Sequence, residues 1–354
     1  MMIQTITGKR DFIESLRGKR ASFLLCMSNT ATANIEGITQ AGIPGLLHLT
    51  PTLDAEFIAI GEVRSLGSIA ETPKGVPTPA LITRAVHLLH PFREIELLEL
   101  GLEISPKLEH FKRHSFGISP SDSISEGANI PAEEVFEKGI QFAQELAVQG
   151  DYIILGESVP AGTTTALATA LALGYDANEK FSSSFKNTPN TIRQNVINQA
   201  LSHIEKGDDL FAILSQVGDN MLIFNAGLVL GLQNRDIPIV LAGGTQMACV
   251  LLVINRILQM MEGELDTSRV ALCTTKWVAE DTNSDIKALL EMNDFTINAY
   301  YADFDFSLTS HPALKLYDEG EAKEGVGAGG ALMYALLNGI TKEKITLKVE
   351  SLLG

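Results

Sequence analysis

The chain has almost no cysteine. Its three, Cys26, Cys249 and Cys273, stand far apart and form no CxxC pair. That spacing excludes a disulfide framework, and with no secretory leader at the Met1 end it predicts a reducing, cytoplasmic compartment. Positive charge is also short: 27 Lys and Arg stand against 43 Asp and Glu, a formal charge of −16. No compact basic block offsets it, which excludes nucleic-acid binding driven by counterion release. No apolar run of membrane length is unbroken, because Gly243-Gly244-Thr245-Gln246 interrupts Ile237–Ile254. That run reads as a strand turning into a buried helix.

Familiar chemical signatures are missing as well. His110 and His114 have i,i+4 spacing but no HExxH partner and no cysteine, so they predict a solvated helix face and no metal site. No G-x-S-x-G occurs. The P-loop fails because Thr163 stands where lysine is required, and G-x-G-x-x-G fails because Glu157 and Ser158 follow Gly156. No cofactor is expected.

What is present begins with Asp151–Ala177, DYIILGESVPAGTTTALATALALGYDA. It predicts a buried strand over Tyr152–Leu155, a loop over Gly156–Gly162 and a helix closing near Gly174. Thr163, Thr164 and Thr165 offer an N-cap hydroxyl and further ligand hydroxyls at the helix start. A strand, glycine loop and helix N-terminus in this order form a ready seat for phosphate or carboxylate. Glu157 stands at the strand end, where α/β sheets keep their chemistry.

At 354 residues, one large or two modest domains fit. Before Pro131, strands are expected over Ala21–Met27, Leu46–Leu49 and Glu94–Leu100, with helices over Asp11–Arg17, Ala55–Ile60 and Ala80–Leu89. Pro73–Pro79 is a break, and 105–131 reads as a long excursion. After Pro131, helices are expected over Ala132–Gln149, Thr164–Leu173, Thr191–Lys206, Met221–Leu232, Met247–Met260 and Asp285–Leu290. They alternate with strands at Leu210–Val217, Ile237–Leu241, Arg269–Thr274 and Thr296–Tyr301. Successive β-then-α units predict a three-layer, Rossmann-like α/β fold with a mostly parallel sheet and helices on both faces. The division expected is an N-terminal segment (1–130) feeding a smaller lobe and the sheet edge, an α/β core (131–310), and a C-terminal segment (311–354) completing the lobe.

A second glycine-rich stretch, Glu321–Ile340 (EAKEGVGAGGALMYALLNGI), sets Glu324 just before Gly325-x-Gly327 and an Ala/Leu helix. Glycine there permits a tight turn and close approach to a ligand. Gly329 and Gly330 in the helix start cost about 1 kcal/mol each relative to alanine, so something favours them. Close helix packing with Glu324 as a solvated cap is the simpler alternative.

In order and spacing these stretches resemble the nicotinate-nucleotide–dimethylbenzimidazole phosphoribosyltransferase family, nearest its divergent archaeal and cyanobacterial branch. Gly156-Glu157 and Gly162-Thr163-Thr164-Thr165 are similar to the two halves of its G-E-x-G-x-G-N-T-T loop, one residue longer here and without the middle glycine and the Asn. Gln216–Gly244, ending in Gly243-Gly244, resembles its glycine-bearing helix and next strand, with Ala242 where the family has Asp. Arg193 stands in the helix that carries the family's phosphate-contacting lysine, and Lys186 is a rival for that role. Glu324-Gly325-Val326-Gly327-Ala328 matches E-G-x-G-A, whose glutamate is the family's catalytic base.

The resemblance implies transfer of a 5-phosphoribosyl group from nicotinate mononucleotide to a ring nitrogen of a lower-ligand base, dimethylbenzimidazole-like or purine, in cobamide nucleotide-loop assembly. It also implies a homodimer, for which the apolar helices Met221–Leu232 and Met247–Met260 offer surface. Helix N-termini suit the phosphate and Glu324 suits the ring proton. A glutamate at a helix N-terminus has its pKa lowered, so burial must raise it back. A non-catalytic nucleotide sensor on the same fold, or a transferase for another phosphorylated ribose, remains open at this stage.

Overall fold

The computed structural model describes residues 1–353. Among them, eight strands form one sheet: β1 (Ile3–Thr7), β2 (Ala21–Met27), β3 (Glu94–Glu99), β4 (Arg113–Ser115), β5 (Tyr152–Ser158), β6 (Ile239–Ala242), β7 (Val270–Thr274) and β8 (Asn298–Ala302). Their order is β1-β8-β7-β6-β5-β2-β3-β4. Every neighbouring pair is parallel except β1 with β8, which is antiparallel. The central strands are short apolar runs buried along their whole length, as a sheet covered on both faces requires. Alternation divides their side chains: Leu24, Cys26, Ile153 and Leu155 enter one core, and Phe23, Leu25, Tyr152 and Ile154 the other.

Helices α1 (Asp11–Ser15), α2 (Thr50–Ile60) and α3 (Ala80–Leu89) come from the N-terminal part. Between β4 and β8 lie α4 (Ala132–Glu145), α5 (Gly162–Ala172), α6 (Asn190–Leu201), α7 (Leu210–Val217), α8 (Asn220–Leu232), α9 (Thr245–Met261), α10 (Lys276–Ala279) and α11 (Ile286–Glu291). After β8 come α12 (Pro312–Asp318), α13 (Ala328–Leu337) and α14 (Lys342–Glu350). The first core is covered mainly by α4 to α9 and α11, the second by α1 to α3 and α12 to α14. The N-terminal segments and the C-terminal helices thus meet, α3 packing on α13 and α14, as the second helical layer of the same sheet. β2 lies in the middle of that sheet, where an edge contribution was expected.

Close approach of α4 and α8 depends on missing side chains. A Cβ on Gly227 would sit 2.1 Å from the Phe136 carbonyl oxygen, and one on Gly139 would sit 2.3 Å from that of Phe224. Both neighbours are backbone and cannot turn away. Gly227→Ala is therefore expected to destabilise the protein by about 2 kcal/mol, although alanine is the better helix former. A urea midpoint equal to wild type would contradict this.

Several sequence expectations are corrected. Leu210–Val217 is a helix, because Asp209 Oδ1 accepts from Ala212 N at 2.8 Å and caps its start. Leu47–Leu49 is a 3₁₀ turn leading into α2, where a strand was expected. His114 belongs to edge strand β4 and bonds Glu96 at 2.5 Å through Nε2, so no helix carries it with His110. The surface expected of Met221–Leu232 for a homodimer is covered within the chain, since α8 is buried against α4 and α9. No helix among the described residues is long and apolar enough to cross a membrane.

Sheet order changes direction at β5 and β2: the chain proceeds from β5 to β6 on one side and from β2 to β3 on the other. Such a switch point opens a crevice at the carboxyl ends of the two strands.

Candidate active site

A cavity of about 110 Å³ lies in that crevice. For scale, a dry cavity of roughly 150 Å³ holds benzene, so the enclosed part is somewhat smaller than a benzene site. One wall is the end of β5 and its loop, Glu157 to Thr163, and another is the start of α9 at Gly244-Thr245-Gln246. The turn Ala322–Val326 closes the floor, and residues 39–79 of the N-terminal part supply the remaining side.

Glu324 is held between two helix starts. Its Oε1 accepts from Gly325 N and Gly329 N, both at 3.1 Å, the second being in the first turn of α13. Its Oε2 accepts from Thr275 N at 2.8 Å and Thr274 Oγ1 at 3.3 Å. Burial pushes its pKa up to about 7, against these four hydrogen bonds, which lower it. Burial therefore wins the contest that the sequence left open, and Glu324 titrates near neutrality.

The geometry also accounts for the costly glycines of α13. A Cβ on Gly329 would lie 2.2 Å from the Thr274 carbonyl carbon and 2.7 Å from Glu324 Oε2, and one on Gly330 would lie 2.4 Å from Ala242 Cβ. The helix start thus presses against the ends of β6 and β7 and closes on the glutamate. Next to it, Val326 holds φ 55°, a costly conformation for a β-branched residue. Two bonds hold it there: Val326 N donates to the Glu157 carbonyl at 2.7 Å, and Thr83 Oγ1 donates to the Val326 carbonyl at 2.8 Å.

Glu71, Glu157 and Asp54 also line the cavity, and the last two are buried. Glu157 is buried and its pKa is driven well up, first by desolvation and then by the charges of Glu324, Asp219 and Asp54. Asp54 accepts from Thr78 Oγ1 at 2.6 Å and Ser158 Oγ at 2.7 Å, and burial pushes it up to about 6. Lys323 also lines the cavity, but its Nζ is spent on a buried pair with Asp281 at 2.9 Å and on the Phe185 carbonyl at 3.0 Å.

Of the expected site residues, Gly162, Thr163, Gly244 and Gly325 line the cavity with Glu157 and Glu324. Gly156 and Gly327 stand back to back behind it: a Cβ on Gly156 would be 3.1 Å from Gly327 N. Gly243 lies behind the wall, where an added Cβ would be 3.6 Å from Glu157 Oε1. The threonines do not cap α5. Its N-cap is Ala161 at φ 64°, and Thr164 and Thr165 are buried in the first turn, with Thr165 Oγ1 bonded to Asp219. Arg193 does not line the cavity; its Nη2 donates to the Thr163 carbonyl at 2.7 Å and its Nη1 to that of Phe181 at 3.0 Å, tying two wall segments together. Lys186 faces a separate hollow and pairs with Glu319 at 3.5 Å.

Sequence reasoning missed Asp54, the Lys323–Asp281 pair and Gln246. Asp54 meets Ser158 across 104 positions, a juxtaposition no local pattern encodes. Gln246 had a signal: it is the polar interruption of the longest apolar run. The Pro-rich break at 73–79 is itself wall, contributing Val76 to Pro79.

A family model described as Phosphoribosyltransferase matches residues 111–261. A UPF0284 protein of Sulfurisphaera tokodaii is 35% identical over 355 residues, covering 99% of this chain and 97% of its own length. One from Saccharolobus solfataricus is 34% identical, covering 99% and 94%. Among solved structures, the nicotinate-nucleotide–dimethylbenzimidazole phosphoribosyltransferase of Thermus thermophilus superposes with TM-score 0.58 over 93% of this chain and 82% of that one. At 16% identity that likeness speaks to the fold.

Proposed function

The chain belongs to the UPF0284 proteins, a divergent branch of the nicotinate-nucleotide–dimethylbenzimidazole phosphoribosyltransferase family, and from that premise we propose that it moves a 5-phosphoribosyl group from nicotinate mononucleotide to a ring nitrogen of an aromatic base. The base is dimethylbenzimidazole-like or a purine, and the product serves cobamide nucleotide-loop assembly. The observation that carries the reading is Glu324: a buried carboxyl group on the cavity floor, with its pKa pushed up to about 7. In the reaction the bond from C1′ to the nicotinate nitrogen breaks, and nicotinate leaves with the bonding pair. The acceptor nitrogen attacks C1′ and its ring proton passes to Glu324. Holding acceptor and C1′ in line supplies much of the rate, and the positioned carboxylate supplies a further 10²–10⁴-fold, roughly.

The phosphate falls to the helix N-termini. Those of α5 and α9 both end at the cavity, and the first N–H groups of a helix lack intrahelical partners. In α5, Thr164 N and Thr165 N already turn back to the Ala161 carbonyl, so α9 offers the freer set. Gly244 and Gly325 let the ligand approach the backbone. Arg193 serves as a positioning residue that holds the Thr163 wall. Arg193→Ala leaves the buried Phe181 carbonyl without this donor and frees the Thr163 wall, and is expected to weaken mononucleotide binding about tenfold with little change in kcat. Arg193→Lys should not rescue it, because one ammonium cannot reproduce the two-armed contact. Unchanged affinity in a folded Arg193→Ala protein would remove Arg193 from the site.

The transfer itself is tested by mixing purified protein with nicotinate mononucleotide and dimethylbenzimidazole, adenine or cresols and following nicotinate. Release that depends on the added base supports the reading. No release with any base contradicts it. One observation favours a second reading, a non-catalytic nucleotide sensor: both oxygens of Glu324 are already engaged by protein donors.

A further inference from the structure

We propose that Gln246 reads the ribose hydroxyls of the phosphoribosyl donor, an inference that rests on the transferase reading above. Gln246 is the second residue of α9 and lines the cavity. It is only 9% exposed, and its Oε1 is buried with no hydrogen-bond partner. A buried carbonyl oxygen left so is costly, and the cost is relieved when a ligand brings a donor. Packing does not explain the residue, since the positions after it, Met247 to Ile254, are buried and apolar, and a Leu or Met would fill the space.

The loop is also shaped around this side chain. A Cβ on Gly162 would lie 2.0 Å from Gln246 Oε1 and 2.7 Å from its Cδ. Glycine at 162 thus gives the carboxamide room to lie against the start of α5.

Chemistry and position together select the ligand group. A carboxamide with no protein partner at its oxygen is best met by a group that donates and accepts at once, which phosphate oxygens and the nicotinate carboxylate do not. A sugar hydroxyl supplies an O–H to Oε1 and an oxygen lone pair to the amide nitrogen. Gln246 stands between the start of α5 and the glutamate: Gly162 touches it on one side, and Gly244, two residues away, would place a Cβ 3.6 Å from Glu324 Cβ on the other. A phosphoribosyl group seated on the helix ends, with C1′ presented toward Glu324, carries its sugar across this interval.

The test is binding of nicotinate mononucleotide and its 2′-deoxy and 3′-deoxy forms by calorimetric titration. Wild type is expected to favour the ribose form over at least one deoxy form by about tenfold or more, as a site built to bond a hydroxyl does. In Gln246→Leu the preference should fall to within about twofold through weaker ribose binding, the deoxy form binding as before. Gly162→Ala, which drives a methyl group into the carboxamide, should erase the same preference and serves if the leucine variant does not fold. A merely structural glutamine weakens all three ligands alike, so an unchanged preference in a folded variant overturns the proposal. A wild type that binds all three equally also overturns it, while leaving the transferase reading intact. A wild type that binds none of them overturns that reading, and this inference with it.

Discussion

Glu324→Gln is expected to slow nicotinate release by about 10²–10⁴-fold while mononucleotide affinity stays within about twofold. Glutamine keeps the shape of the side chain but cannot take the ring proton. The substitution also has a folding consequence that must be separated from the chemical one. The carboxylate accepts from three backbone N–H groups and one hydroxyl. Glutamine has one acceptor oxygen, so its amide hydrogens meet a backbone N–H on one side. An unsatisfied buried donor there costs about 1–3 kcal/mol, and the melting midpoint should fall. The decisive quantity is the rate per folded molecule. If it equals wild type, Glu324 is a structural clasp between α13 and β7, and the sensor reading takes precedence.

Asp219→Asn is expected to stabilise the protein by about 3 kcal/mol at pH 8 and by almost nothing near pH 4. Asp219 caps α8 through Leu222 N at 3.0 Å and accepts from Thr165 Oγ1, and among the described residues no basic side chain pairs with it. Burial raises its pKa from 3.8 to about 6. A carboxyl whose folded value is raised contributes its full stability below the unfolded value, and the contribution is lost as pH rises from about 4 through 6. Asparagine preserves the cap, and its amide can donate to Thr165 Oγ1, which keeps its own bond to the Gly162 carbonyl. Urea unfolding of both proteins at pH 4 and pH 8 measures the effect. An equal difference at the two pH values would contradict the buried-charge account. Asp54 follows the same sign, but it lines the cavity, so its substitution mixes stability with function.

Most of the sheet was legible because β2, β5, β6 and β7 are short apolar runs closed by turn residues. The error at Leu210–Val217 has the opposite origin, since eight mostly apolar residues fit a strand and a buried helix equally well. Only the cap at Asp209 separates them. β4 escaped notice because three residues at a sheet edge carry no pattern. In the candidate site, Glu324 and the glycine loop were readable from local motifs. The N-terminal wall was not, because Asp54 reaches Ser158 and Gln40 reaches Glu321 only after the chain has folded. The raised carboxyl pKa values have the same cause: they come from burial, which spacing alone does not reveal.

The most direct test of Glu324 as the base is the pH dependence of kcat/KM for base-dependent nicotinate release by the wild-type protein, measured from pH 5 to 8.5 with substrates well below saturation, where the profile reports the free protein. The proton acceptor must be the carboxylate, and its pKa lies at about 7. The rate should therefore level off above pH 7 and fall about tenfold per unit below it, with this limb absent from the residual rate of Glu324→Gln. A wild-type rate that stays flat from pH 5 to 8.5 would contradict the account.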